Sequence, residues 1–222
     1  MTDRVTRQVS EALRESGRLR PFHRGEFLMR SGERSDEVLV IESGAVKVVL
    51  ATESGVESIL GLYGPGELIG ELGVMSGQPR SATVIAHLDG VALHVPGAPF
   101  LRLREQDREI CAMVDDTLRR RLHNADRRQL AIASLDVPTR VAAQLLALAK
   151  AYGVPAGTGL VVRGFTHRDL AQVVTASEKT VDAALKLLRS SGLLETERCR
   201  YLLPDPALLE HLLGQPGWRP GT

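Results

Sequence analysis

At 222 residues the chain is long enough for one large domain or two modest ones, each able to bury a core. Hydrophobic residues make up 43% and charged residues 25%, an ordinary globular balance, and a net charge of +1 leaves bulk charge silent about nucleic acid. No apolar run approaches the roughly 18 residues of a membrane span, and the two distant cysteines, Cys111 and Cys199, suggest neither a disulfide framework nor a zinc knuckle.

The opening stretch MTDRVTRQVSEALRES reads as a polar amphipathic helix without the apolar core of a signal peptide. A reducing, cytoplasmic setting with no membrane partner is the expectation. From Pro21 to about Val95 short β-branched runs (37–42, 45–51, 57–62, 82–87, 90–96) alternate with turn residues such as Gly32, Gly44, Gly55, Gly64, Gly66, Gly77 and Gly90. A turn every 10 residues or so predicts an all-β barrel or sandwich. Within it, GELIGELGVMSGQPRSATV (66–84) sets glycines and acids around a lone arginine.

Between Gly97 and Leu135 glycine vanishes and the period changes to that of a helix. Cys111, Val114, Leu118, Ala125 and Ile132 fall on one side at spacings of three, four and seven, a stripe suited to a partner helix. Met113, Leu122 and Leu130 supply a second face, expected to dock on the β-domain. The helix should stop at Leu135-Asp136-Val137-Pro138, where Asp136 caps the next helix, 139–152, and Pro138 is tolerated in its first turn. The expected domains are therefore 1–97, the linking helix 98–135, and 136–222.

After a loop at 153–159, residues 166–174 form a helix, Thr175-Ala176 a tight turn, and Ser177 caps a second helix to about Ser190. Leu170, Val173, Val174, Val181, Ala184, Leu185 and Leu188 supply their shared core. Two short helices joined this way are a helix-turn-helix candidate. Residues 193–196 and 199–203 then read as a two-stranded wing, and Asp205 caps a last helix, 206–213.

The order β-roll, long helix, winged helix-turn-helix resembles the cAMP receptor protein (CRP/FNR) regulators over nearly the entire chain. The fold class is α+β. The residues that carry the resemblance are GELIGELG…RSATV, SLDVPTRVAAQLLALAK and FTHRDLAQVVTASEKTVDAALKLL. It implies a homodimer that binds a pseudo-palindromic DNA operator under allosteric control by a cyclic nucleotide, with RNA polymerase as a further partner. The first motif then corresponds to a phosphate-binding cassette. Gly70, Glu71, Leu72 and Gly73 start a short helix whose free N–H groups face the phosphate. Arg80 supplies a charge-assisted pair, Ser81 a hydroxyl, and Glu71 accepts from the ribose 2′-hydroxyl. Arg121 stands nearby as a phosphate or interface residue. Where cAMP-binding members carry a Thr-Ser pair for the adenine, this chain has Ala125 and Asp126. The default ligand is cAMP, with cGMP or no ligand as alternatives.

The reading helix departs from the family as well, placing Glu178, Lys179 and Ala183 where the best-known members have Arg, Glu and Arg. Thr166, His167, Arg168, Ser177, Glu178, Lys179, Thr180, Lys186 and Arg189 remain for DNA contacts. The dimer seam is expected at Val114, Leu118, Ala125 and Ile132. No cysteine cluster precedes Cys111 and the histidines (23, 87, 94, 123, 167, 211) show no ligand spacing, so no metal is expected. No nucleophile–base constellation suggests an enzyme.

Overall fold

A computed structural model describes residues 11–52, 55, 57–215 and 217–220. The expected N-terminal helix falls mostly outside them; its last part is helix α1, Glu11–Glu15. By compactness the chain divides into two units, residues 1–124 and 125–222, so the division falls inside the long helix.

The first unit is a β-roll. Its strands are β1 (Arg18–Phe22), β2 (Phe27–Met29), β3 (Glu37–Ala51), β4 (Glu57–Tyr63), β5 (Leu68–Ile69) and β6 (Thr83–Pro96), with helix α2 (Glu71–Ser76) between the last two. The sheet runs in the order β1-β6-β3-β4, with β2 pairing β6 and β5 pairing β3, all antiparallel. Two pairs of runs expected as separate strands are each one long strand, β3 and β6. Register shifts around Ser43 let both continue through the corner of the roll. At that corner the backbones approach too closely for side chains: a Cβ on Gly44 (φ +78) would lie 2.4 Å from the Asp89 carbonyl oxygen, and one on Gly90 would lie 2.2 Å from that of Ser43.

The expected single helix from Gly97 is two helices, α3 (Gly97–Gln106) and α4 (Arg108–Ser134). Asp107 breaks them apart in an extended conformation (φ −110, ψ 115) and its carboxylate accepts from the N–H groups of Glu109 and Ile110 at 2.8 and 3.3 Å. A residue that can cap favours a break at the cost of one helical turn.

The face by which α4 docks on its own roll differs from expectation. Ile110 and Val114 are buried in a core with Leu13, Val38, Val40, Leu68, Leu93, Val95 and Phe100, and Met113 and Leu118 pack against it. Leu122 and Leu130, expected to dock, are 65% and 67% exposed. Val114 is thus withdrawn from the proposed dimer seam, and Leu118 only borders it. Both apolar sets lie on one helix, and periodicity alone does not say which of them faces home.

In the second unit helix α5 (Val137–Tyr152) begins as expected: the Asp136 carboxylate accepts from Thr139 N–H at 2.9 Å, with Pro138 in the first turn. The segment expected as a loop instead starts a hairpin, β7 (Val154–Ala156) and β8 (Gly159–Arg163). Helices α6 (His167–Val174) and α7 (Glu178–Ser190) follow, then the wing strands β9 (Glu195–Glu197) and β10 (Arg200–Leu203), and α8 (Pro206–Leu213). The sheet order is β7-β8-β10-β9, so the wing extends a hairpin that sequence reading missed. The seven residues predicted as the helix-turn-helix core are all buried.

Candidate ligand pocket and reading helix

In the first unit the cassette is built around Arg80, which is only 6% exposed. Its backbone is pinned on both sides: Arg80 N–H donates to the Glu33 carbonyl and its own carbonyl accepts from Gly32 N–H, both at 2.8 Å. Its side chain donates from Nη1 to the Gly70 carbonyl at 2.9 Å and from Nη2 to the Glu37 carbonyl at 2.6 Å. Gly70 makes room for this, since at φ +86 a Cβ there would sit 2.5 Å from Arg80 Nη1. Among the described residues no carboxylate lies within ion-pair distance of the guanidinium. Burial pushes it below the usual arginine range, against the pull of Asp36, Glu37, Glu33 and Glu71. Of the five N–H donors a guanidinium carries, two are used here. A buried cation with donors to spare and no carboxylate in contact is suited to receive an anion.

Glu71, the first residue of α2, is fully buried and does not pair with Arg80. One oxygen, Oε1, accepts from Arg121 Nη1 on α4 at 2.5 Å, and Arg121 Nη2 donates to the Leu68 carbonyl at 2.6 Å. The Arg121 guanidinium lies 4.8 Å from the centre of the Tyr63 ring, a cation–π contact. The other oxygen, Glu71 Oε2, is buried with no partner. An orphaned carboxylate oxygen calls for a donor. Beside it Gly73 packs so closely that a Cβ would come 2.1 Å from Ser35 Oγ. Leu72 is 50% exposed and Ser81 is exposed. Ala125 and Asp126 belong to the second unit, both exposed on α4.

One element of this site titrates. Glu37, whose carbonyl holds Arg80, also accepts through its carboxylate from His94 Nδ1 at 3.1 Å. That hydrogen bond holds the carboxyl below its ordinary value of 4.5, against burial and with help from the charges of His94, Arg20 and Arg80. A group with a lowered folded pKa contributes stability that is complete above its unfolded value and is lost as pH falls through the folded one. Glu37→Gln should therefore be less stable than wild type near neutrality and lose less on acidification. Melting temperatures between about pH 3 and about pH 7 test this; parallel curves would remove the interaction.

In the second unit the helix-turn-helix is held by its caps. Thr166 and Asp169 form a reciprocal box, with Thr166 Oγ1 accepting from Asp169 N–H at 3.0 Å and Asp169 Oδ2 accepting from Thr166 N–H at 2.9 Å. Thr175, left-handed at φ 55, makes the turn. Ser177 Oγ accepts from Thr180 N–H at 3.1 Å and lies 2.7 Å from Thr180 Oγ1, so these two hydroxyls engage each other. His167 Nδ1 lies against Asp182 Oδ1 of α7, and its ring is 6.3 Å from that of Tyr201 on the wing. Arg189 donates to Thr196 Oγ1 at 3.1 Å.

Sequence reading assigned no contact to the wing. There an open hollow is lined by Arg163, Glu197, Arg198, Cys199 and Arg200. Arg163 and Arg200 are directly opposite in the β8–β10 register, where like charges repel. Glu197 relieves Arg200 at 3.0 Å. The signal was present as Arg163 and Arg200 at strand ends and Arg198 in the wing turn, but only the pairing of β8 with β10 brings them together.

Residues 19–107 match the family model of the cyclic nucleotide-binding domain, and residues 139–212 that of the Crp-like helix-turn-helix domain. A CRP-like cAMP-activated global transcriptional regulator from Mycobacterium tuberculosis is 35% identical over 188 residues, 83% of each chain. The cAMP-activated global transcriptional regulator CRP of Salmonella typhimurium is 32% identical over 75% of this chain and 80% of its own. Among solved structures, a CRP/FNR-family transcriptional regulator from Thermus thermophilus aligns with a TM-score of 0.78 at 25% identity, over 90% of this chain and all of its own. The c-di-GMP responsive regulator CLP of Xanthomonas campestris gives 0.78 at 22% identity over 87% and 96%, a likeness of fold. A cyclic nucleotide-binding domain followed by a DNA-binding helix-turn-helix defines a transcription regulator, and this chain belongs to the CRP family.

Proposed function

We propose that the protein is a homodimer whose DNA binding is switched by a cyclic nucleotide, cAMP by default, held in the β-roll. The observation that carries this reading is the buried Arg80 with no carboxylate in contact, set beside the orphaned Glu71 Oε2. Arg80 would hold the cyclic phosphate, and Glu71 would accept from the ribose 2′-hydroxyl. The first supplies charge-assisted donors and the second an acceptor that a cation could not replace. Ser81, exposed at the end of the cassette, is the further hydroxyl donor.

The relatives described as cAMP-activated make cAMP the default. Asp126 keeps cGMP open, because a carboxylate suits the adjacent N–H donors of a guanine edge. Calorimetry with cAMP and with cGMP on the full chain decides between them. Binding of cAMP is expected; binding of cGMP alone would change the base assignment, and no heat with either would leave a ligand-independent regulator.

The dimer seam is read from α4. With Val114 withdrawn, the exposed apolar residues Leu122, Ala125 and Ile132 continue a stripe at spacings of three and seven. Leu122→Glu, which leaves the core of its own unit intact, should turn a dimer into a monomer at micromolar concentration, since paired carboxylates would face each other at the seam. Sedimentation velocity measures it. A wild-type monomer, or a variant that stays dimeric, would remove this seam.

A further inference from the structure

We propose that α7 selects cytosine through Glu178, so that an acid sets the sequence specificity of each half-site. This rests on the DNA-binding reading of the helix-turn-helix. The hydrogen bonds within the second unit sort the side chains of the reading face into engaged and free. Ser177 and Thr180 bond each other, Arg189 bonds Thr196, and Thr166 bonds Asp169. Glu178 and Lys179, both exposed in the first turn of α7, make no hydrogen bond or ion pair among the described residues. In a helix-turn-helix it is the N-terminal part of the second helix that meets base edges.

The Ser177 cap fixes where these two side chains start, and an acid in the first turn is favoured by the helix dipole. Glu178 can only accept. In the major groove the amino donors are N4 of cytosine and N6 of adenine. Adenine sets the N7 acceptor beside its amino group, where a carboxylate would meet a lone pair; cytosine does not. Cytosine is therefore the base an unencumbered glutamate prefers. Asp182, one turn further along the same face, is less exposed than Glu178 and has His167 Nδ1 against its Oδ1, so Glu178 is the more open acid. Lys179, a point donor, complements the acid at guanine O6 or N7.

The experiment selects binding sites from random double-stranded DNA, with and without cAMP, using wild type, Glu178→Gln and Glu178→Ala. Glu178 is exposed, and equal melting temperatures would show that each variant folds. Wild type should enrich an inverted repeat with a fixed cytosine in each half-site, and replacing that C·G pair should weaken binding roughly five- to tenfold. Glu178→Gln should move the preference to adenine, because an amide both donates to N7 and accepts from N6. Glu178→Ala should leave the position unselected. An inverted repeat retained unchanged by Glu178→Gln would overturn the assignment while leaving DNA regulation standing. A uniform gain in affinity for every sequence would show that Glu178 only repels phosphate. Failure of wild type to enrich any repeat would overturn the DNA reading itself.

Discussion

Arg121→Ala is expected to lower the stability of the first unit by about 3 kcal/mol, the lower end of what breaking a buried ion pair costs. The lower end applies because Arg121 keeps 23% of its side-chain surface while Glu71 keeps none. Removing the arginine strands a carboxylate that already has one orphaned oxygen. Two further interactions are lost with it, the donation to the Leu68 carbonyl and the contact with the Tyr63 ring. Urea unfolding of the full chain measures the loss in its first transition. The paired replacement Glu71→Met with Arg121→Met should recover most of that stability, because a well-packed apolar pair needs no compensating charge. Full stability in Arg121→Ala would mean that solvent reaches Glu71, and the pair would then have no structural weight.

Arg80→Ala is expected to weaken cyclic-nucleotide binding about tenfold to a hundredfold, the equivalent of one charge-assisted hydrogen bond of roughly 1.5–3 kcal/mol. Gly70→Ala should do comparable damage without touching the charge. Its Cβ would lie 2.5 Å from Arg80 Nη1 and 2.7 Å from Met29 Cε, on a backbone at φ +86 that disfavours any side chain. If calorimetry shows wild-type affinity in Arg80→Ala, the phosphate does not sit on this arginine. If only Gly70→Ala keeps its affinity, Arg80 has moved with its anion and the seat is softer than its hydrogen bonds imply.

What the sequence made legible was local. The caps at Asp136, Ser177 and Asp205 and the core of α6 and α7 all follow from residue types within one helical turn of each other, while the α2 start at Glu71 came from the family resemblance. The resemblance put Arg121 nearby as a phosphate or interface residue, but its ion pair with Glu71 was not legible, because the two lie 50 residues apart and no local pattern joins them. Strands β1 and β2 escaped notice for a different reason. The segment Arg18–Phe22 is exposed at all but its last residue, so it carries no alternation and no apolar run. The break at Asp107 was hidden because a capping aspartate inside a helical period is also compatible with an unbroken helix. The two stripes of α4 were both visible; which one docks depends on where the roll ends, a fact of tertiary structure.

The close approach at the corner of the roll constrains how this family of sequences can vary. Gly44 and Gly90 press against each other's backbone, each with the other's Cα under 3 Å from where its own Cβ would stand. In most packed pairs a larger residue at one position can be accommodated by a smaller one at its neighbour. Here both are already the smallest residue available, and the nearest atoms in the way are main chain, joined at Gly90 by Phe22 Cζ at 2.6 Å. Neither site has a second-site suppressor within the pair, so any lineage that loses one glycine must rebuild the corner of two strands rather than repair a contact.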